Sequence, residues 1–155
     1  MGIIYPFNLI IHPRRTAQEI LKGKGKIVTL LIIFLLTSFL KIDPYYYVLL
    51  QAIVFPLLFF VTWVMMAASA RLISIFFRGK VTFKQYLVLL GHSFFPFFIL
   101  AMLFPSINWT ALIGLGAIYN GIVAQETEGY PFWKAIFVSI ATVIWPILLV
   151  INAIM

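Results

Sequence analysis

The chain has 155 residues, of which 64% are hydrophobic and 10% are charged, and its mean hydropathy is +1.11. A soluble domain has about 45–50% apolar and about 25% charged residues, so one small core cannot bury this much apolar surface. The net charge is +7, and the basic residues lie beside hydrophobic segments. This placement is typical of residues that set the topology of a membrane protein rather than of a nucleic-acid-binding surface. The absence of cysteine excludes disulfides, thiolate metal sites and cysteine nucleophiles.

The apolar segments predict an all-α fold, namely a polytopic membrane bundle of about five transmembrane helices. In chain order the predicted spans are about 27–40, 45–70, 86–104, 110–124 and 132–155. At about 1.5 Å per residue the first span covers roughly 21 Å of a hydrocarbon core of about 30 Å; its flanking lysines can snorkel, and the bilayer can thin locally. Residues 1–26 form a separate basic segment, in which we expect a short helix over 13–23 at the membrane interface.

The basic residues predict the orientation of the bundle. Ten of the eleven lysines and arginines fall on one side of the five-span arrangement, and Lys41 falls on the other. Positive charge concentrates on the cytoplasmic side of membrane proteins, so we expect a cytoplasmic N-terminus and an external C-terminus. The ten residues are Arg14, Arg15, Lys22, Lys24, Lys26, Arg71, Arg78, Lys80, Lys84 and Lys134.

The N-terminal bases are candidates for binding lipid headgroups, because each base near an anionic leaflet adds about 1 kcal/mol of attraction. The alternative is that they only enforce the topology. The candidates are Arg14, Arg15, Lys22, Lys24 and Lys26.

The fourth span carries small residues at steps of three and four along one face, including Gly114, Ala117 and Gly121. Small residues let helix backbones approach closely in membranes. We therefore expect these three residues to pack against another helix and the fourth span to be the most enclosed. The spacing leaves open whether the contact lies within one chain or between two copies.

His92 is the ionisable residue deepest in an apolar stretch, and such residues usually face the bundle interior or water. A polar cluster of His92 with Arg71, Asn120 and Glu126 is expected near the cytoplasmic helix ends. It is either a proton-linked or headgroup-binding pocket, or a buried histidine satisfied by a neighbouring carbonyl or amide. With four acids, two histidines and no metal-binding or nucleophile motif, the chain is predicted to be no enzyme and to need no cofactor or metal.

Four segments resemble the Yip1 family of small five-span membrane proteins. Residues 11–20 are similar to its proline-basic entry segment, 79–86 to the loop between its second and third helices, and 129–136 to the start of its last helix. Residues 91–96 resemble its Gly-Tyr-x-x-x-Pro pattern, with His92 where an aromatic residue is commoner.

The resemblance implies a membrane domain with no catalytic residues. Eukaryotic members of the family act in traffic between the endoplasmic reticulum and the Golgi, contact Rab-type GTPases and pair with related proteins. The short N-terminal segment here is similar to that of prokaryotic members of the family. The resemblance therefore implies that the protein lies in a prokaryotic plasma membrane rather than in the endoplasmic reticulum or Golgi.

Two functions are compatible with these patterns. The first is a non-enzymatic scaffold or adaptor that binds membrane lipids, other membrane proteins or a second copy of itself. The alternative is a small-solute or ion carrier with a polar site around His92, between helices kinked at Pro56, Pro96 and Pro146. The centres of the predicted spans are mostly Phe, Leu and Ile, which favours the scaffold.

Overall fold

The computed structural model describes residue 8 and residues 11–24, 48–103 and 109–154. These segments contain five α-helices and no strand, so the prediction of an all-α fold is confirmed. The first predicted span, residues 27–40, lies outside the described residues. In chain order the elements are α1 (Pro13–Glu19), a π-helical turn (Ile20–Lys24), α2 (Val48–Phe76), α3 (Phe83–Leu103), α4 (Trp109–Glu128) and α5 (Phe132–Ile154).

Local sequence explains where two of these helices begin. Pro13 starts α1, where its fixed φ suits the first turn and its missing N–H is not needed. A capping box starts α3: the Oγ1 atom of Thr82 accepts from Gln85 N at 3.4 Å, and the Oε1 atom of Gln85 accepts from Thr82 N at 2.8 Å.

Left-handed residues end two of the helices. After α2, Arg78 has a φ of 61°, and the N–H of Gly79 donates to the carbonyl of Ser74 at 2.7 Å, as in a Schellman motif. After α4, Gly129 has a φ of 69° and donates to the carbonyl of Gln125 at 3.0 Å. Glycine usually holds such a position because a Cβ atom disfavours it, so Arg78 is the unusual case.

The helices α2–α5 form a closed ring in which each packs against two others. Consecutive helices are neighbours, and α5 closes the ring against α2. Two tryptophan side chains link α2 to its neighbours. Trp63 Nε1 in α2 donates to the carbonyl of Leu87 in α3 at 2.8 Å, and Trp145 Nε1 in α5 donates to Ser69 Oγ in α2 at 2.7 Å. Helix α1 packs against α4, and the π-helical turn packs against α3.

Large apolar side chains cover much of the outer surface of the ring. Among the described elements, helix α4 packs against α1, α3 and α5. On its remaining face, Leu115 is 52% exposed and Ile118 is 64% exposed. Other exposed residues on the outer faces are Ile53, Leu57, Phe60, Val61, Leu72, Ile75, Phe137, Ile140, Ile144, Ile147 and Leu148.

Within the part of the chain that the structure describes, no helix combines the length and the apolar composition needed to cross a membrane.

Candidate functional site

The described charged side chains collect at the end of the ring where α4 terminates. We call this region the basic end. It is built from α1 and the π-helical turn, the α2–α3 loop, the last turn of α4 and the first turn of α5. Its basic residues are Arg14, Arg15, Lys22, Arg71, Arg78, Lys80, Lys84 and Lys134.

Glu128, the last residue of α4, is the central hydrogen-bond acceptor of this end. Its Oε1 atom accepts from Ser74 Oγ at 2.7 Å, from Val81 N at 3.1 Å and from Tyr86 Oη at 3.1 Å. Its Oε2 atom accepts from Lys80 N at 2.6 Å. One carboxylate therefore joins the end of α2, the α2–α3 loop and the start of α3, through hydrogen bonds that a charged acceptor strengthens.

Two further side chains complete the arrangement around the α2–α3 loop. Arg71 Nη1 donates to the carbonyl of Gly79 at 3.2 Å and to that of Val81 at 2.7 Å. Tyr130 Oη donates to the carbonyl and the Oγ atom of Ser74, each at 3.2 Å. Burial raises the pKa of Tyr130 above its ordinary value, so the phenol keeps its proton at neutral pH and can donate.

Helix α1 lies on the bundle with one face buried and the other outward. Thr16 and Ala17 of α1 and Ile20 of the π-helical turn are buried, and Ala17 and Ile20 belong to the main hydrophobic core. On the outward face, Arg14 Nε lies 3.5 Å from Glu126 Oε2, and Arg15 pairs with Glu19 at 3.4 Å. Both bases of α1 therefore lie on the surface in ion pairs, while the apolar face of the helix anchors it to the bundle.

The predicted headgroup-binding residues are only partly described. The side chains of Arg14 and Arg15 are 77% and 83% exposed, and Lys22 is also exposed. Lys24 is the last residue of the π-helical turn, and Lys26 lies outside the described residues.

Aromatic rings surround the ammonium group of Lys134 on the first turn of α5. Its Nζ atom lies 5.4 Å from the ring centroids of Phe77 and Trp133, and 5.9 Å from that of Tyr130. These distances are within the range of cation–π attraction. The charge of Lys134 is therefore held against the end of α2 instead of extending freely from the surface.

A polar ladder crosses the interior between α3, α4 and α5. Ser93 Oγ donates to Asn120 Oδ1 at 2.6 Å, and Asn120 Nδ2 donates to Thr142 Oγ1 at 3.1 Å. Thr142 Oγ1 donates to the carbonyl of Ser139 at 2.7 Å, and Ser139 Oγ donates to the carbonyl of Ala117. These polar groups satisfy one another across helices, which is what buried polar groups require.

His92 lies beside this ladder and is 1% exposed. Its Nδ1 atom is 2.8 Å from the carbonyl of Val88 in the same helix. Because a carbonyl can only accept, Nδ1 carries a hydrogen and donates it.

The four residues of the predicted polar cluster make their described hydrogen bonds and ion pairs with different partners. Arg71 binds the α2–α3 loop, Glu126 pairs with Arg14, and His92 bonds to its own helix. Asn120 comes closest to the predicted arrangement, because it binds Ser93, the residue next to His92. The charged members therefore belong to the basic end, and Asn120 belongs to the ladder.

The small residues of α4 divide between contact and open surface. A Cβ atom at Gly121 would lie 3.4 Å from Ser139 Cβ, and the carbonyl of Ala117 accepts from the same serine, so both face α5. No described atom lies within 4 Å of a Cβ at Gly114, which is exposed. The predicted contact at Gly114 is therefore not made by the described residues and stays a prediction. Gly116, which the spacing did not single out, faces the ring of Phe94 in α3.

Sequence reasoning also missed Glu128, Ser93 and Thr142. The available signal for Glu128 was its place before Gly129, where a helix ends and a carboxylate can reach the neighbouring loop. In the described residues, no group of three His, Asp or Glu side chains is placed to hold a metal ion.

The fold and the site define an all-helical protein with an internal polar ladder and a positively charged end. A family model of the Yip1 domain matches residues 7–155, essentially the whole chain. The chain therefore belongs to the Yip1 domain family, as the sequence resemblance predicted. Membership places it among membrane-associated proteins, in a family that is not known for enzymatic activity. No curated protein and no solved structure matches the chain.

Proposed function

We propose that the protein is a multi-pass integral membrane scaffold or adaptor without enzymatic activity, with its basic end on the cytoplasmic leaflet. The observation that carries this proposal is the distribution of exposed groups. Aliphatic and aromatic side chains are exposed along α2, α4 and α5, whereas the described charges gather at one end. Lipid accepts apolar faces of this kind, and anionic headgroups attract a ring of bases.

The polar interior supports a scaffold in preference to a carrier. Ser93, Asn120 and Thr142 use their polar atoms to join helices, and His92 donates to its own helix. A carrier needs polar groups directed towards a passing solute, whereas the hydrogen bonds from Ser93 to Asn120 and from Asn120 to Thr142 run between helices. The small-solute or ion carrier is therefore not favoured by a specific observation.

The proposed partners are membrane lipids together with other membrane proteins or a second copy of the chain. The bases of α1 would bind anionic headgroups, and the exposed faces of α2 and α4 would contact lipid or another helix. The proposed location is a prokaryotic plasma membrane.

Two measurements test the proposal. Alkaline carbonate should leave the full chain in the membrane pellet, because an integral bundle is not removed by disrupting charge contacts; release into the supernatant would contradict the proposal. The absence of cysteine permits single-cysteine labelling with an impermeant maleimide in intact cells. Cysteines placed at Ser106 or after Met155 should react, whereas cysteines at Thr82 or Thr127 should be protected. External labelling at Thr82 would contradict the proposed orientation.

A further inference from the structure

The α2–α3 loop, residues 77–82, has its backbone fixed by internal hydrogen bonds. Glu128 accepts from the N–H groups of Lys80 and Val81, and Arg71 donates to the carbonyls of Gly79 and Val81. These bonds occupy the backbone from the inner side. The charged side chains of the loop are consequently left on the outside.

Three bases extend from this fixed loop and the following turn. Arg78, Lys80 and Lys84 are all exposed, and the described ion pairs involve Arg14 and Arg15 instead of these three. Two exposed aromatic side chains lie in the same segment: Phe76, before Arg78, is 80% exposed, and Phe83, between Lys80 and Lys84, is 41% exposed. The bases and the exposed rings therefore lie together around one loop.

We propose that this loop is a binding site for anionic phospholipid, separate from the bases of α1. Arg78, Lys80 and Lys84 contact headgroup phosphates, and the rings of Phe76 and Phe83 enter the boundary between headgroups and acyl chains. Glu128 is a positioning residue, because it holds the loop backbone from behind. The inference rests on the proposed function, which places this end at the cytoplasmic leaflet.

The chemistry of the loop favours a lipid surface over a soluble acidic partner. An anionic leaflet presents phosphates next to the boundary of the acyl chains, where the apolar rings on the membrane-facing side of interfacial segments insert, so it binds both the bases and the rings. Exposed Phe76 and Phe83 gain nothing from a free phosphate. The last turn of α4 also places this loop beside α1, since Glu126 pairs with Arg14 and Glu128 holds the loop.

The first test measures how much phosphatidylglycerol is needed to stabilise the full chain in neutral detergent micelles, with phosphatidylcholine as the reference lipid. A variant with Arg78→Gln, Lys80→Gln and Lys84→Gln should require at least tenfold more phosphatidylglycerol for half-maximal stabilisation, since each base near an anionic surface contributes roughly fivefold. Its matched control, Arg78→Lys with Lys80→Arg and Lys84→Arg, keeps the charge and should behave like the unmodified chain. An unchanged midpoint in the glutamine variant would overturn the proposal.

The second test separates positioning from simple charge. Glu128→Gln removes one negative charge, so electrostatics alone predicts tighter binding of an anionic lipid. The amide nitrogen of the glutamine would face the N–H of Lys80, two donors would meet, and the loop would shift; we therefore expect weaker binding by about fivefold. Glu126→Gln removes the same charge without touching the loop and should bind equally well or more tightly. Tighter binding by Glu128→Gln would exclude the positioning role.

The two proposals can fail separately. Release of the chain by alkaline carbonate would overturn the integral membrane proposal. Retention in the pellet, combined with wild-type lipid midpoints in the loop variant, would overturn the loop site alone.

Discussion

Gly79 lies at a position of the basic end that has no room for a Cβ atom. A Cβ atom there would lie closer than 3.0 Å to the side-chain oxygens of Tyr130, Ser74 and Glu128. We expect Gly79→Ala to lower the free energy of unfolding by about 1–3 kcal/mol, because the added methyl displaces hydrogen-bonded groups. Thermal and denaturant unfolding in detergent micelles measures this change.

Gly114 supplies the matched control for that substitution. No described atom approaches a Cβ at this position, and alanine is favoured over glycine inside a helix by about 0.5–1 kcal/mol. Gly114→Ala should therefore leave stability unchanged or raise it. Equal losses of unfolding free energy for Gly79→Ala and Gly114→Ala would show that crowding of the added methyl group at the loop is not the cause.

For individual residues, the sequence predicted which face of a helix packs better than it predicted which residues on that face make a contact. Spacing along α4 identified Gly121 and Ala117, which do face α5, but gave the same weight to Gly114. Periodicity assigns a residue to a helix face and does not say how far the neighbouring helix follows that face. Glu128 was missed because its hydrogen-bond partners are 42–54 residues away in sequence, beyond any local pattern.

Helix α1 depends on a small buried residue for its attachment to the bundle. Ala17 is fully buried, whereas its neighbour Gln18 is exposed. Ala17→Asp places a carboxylate in an apolar contact, which is costly without a partner, so α1 should detach. Limited trypsin digestion should then cut faster after Arg14, Arg15 or Lys22, whereas Gln18→Asp should digest like the unmodified chain. Equal digestion rates would show that Ala17 does not hold α1.

The polar ladder couples α3 to α4, and a double-mutant cycle can measure that coupling. Ser93→Ala and Asn120→Ala remove the two ends of a 2.6 Å hydrogen bond. We expect a coupling energy of about 0.6–2 kcal/mol, the range found for polar contacts between membrane helices. As a control, Ser93→Ala combined with Thr127→Ala should be additive, since Thr127 bonds to its own helix at Val123. A coupling energy of the same size in the control would show that the hydrogen bond between Ser93 and Asn120 is not its cause.

Helices could be predicted from the sequence more readily than their ends. The apolar run of the second predicted span stops at Ala70, and the helix was expected to run on through Arg71 and end near Arg78 and Gly79; α2 does continue through Arg71 and ends at Phe76. Hydropathy alone places the end of a span at its first charged residue. Here Arg71 lies within the helix, and its guanidinium group donates hydrogen bonds to the carbonyls of Gly79 and Val81. The capping box of Thr82 and Gln85 lies in a segment that hydropathy did not mark as helical.

For the whole molecule, the all-α class and the family follow from composition and from motifs spread along the chain. The arrangement of the helices does not, because nothing in a hydropathy pattern shows that α5 closes the ring against α2. That contact depends on side chains far apart in sequence, such as Trp145 and Ser69.

The one-ended distribution of charge predicts a salt dependence for the whole protein. Stabilisation by phosphatidylglycerol should fall strongly between about 0.1 M and 1 M salt, as the Debye length shortens from about 10 Å to about 3 Å. Stabilisation by phosphatidylcholine should change little, since apolar contacts are not screened. Thermal unfolding with each lipid across this range measures both. A salt-independent effect of phosphatidylglycerol would contradict a role for the bases at the basic end.

The position of Glu128 late in the chain also imposes an order on biosynthesis. The α2–α3 loop leaves the ribosome 48 residues before the carboxylate that accepts from Lys80, which corresponds to a delay of roughly 2–10 s at about 5–20 residues per second. During that interval the loop N–H groups must bond to water, and we expect the hairpin of α2 and α3 to remain open. Arrested nascent chains that expose residue 110 should be cleaved in the loop by trypsin, and chains that expose residue 135 should be protected. Equal protection at both lengths would show that the hairpin closes before its last partner is made.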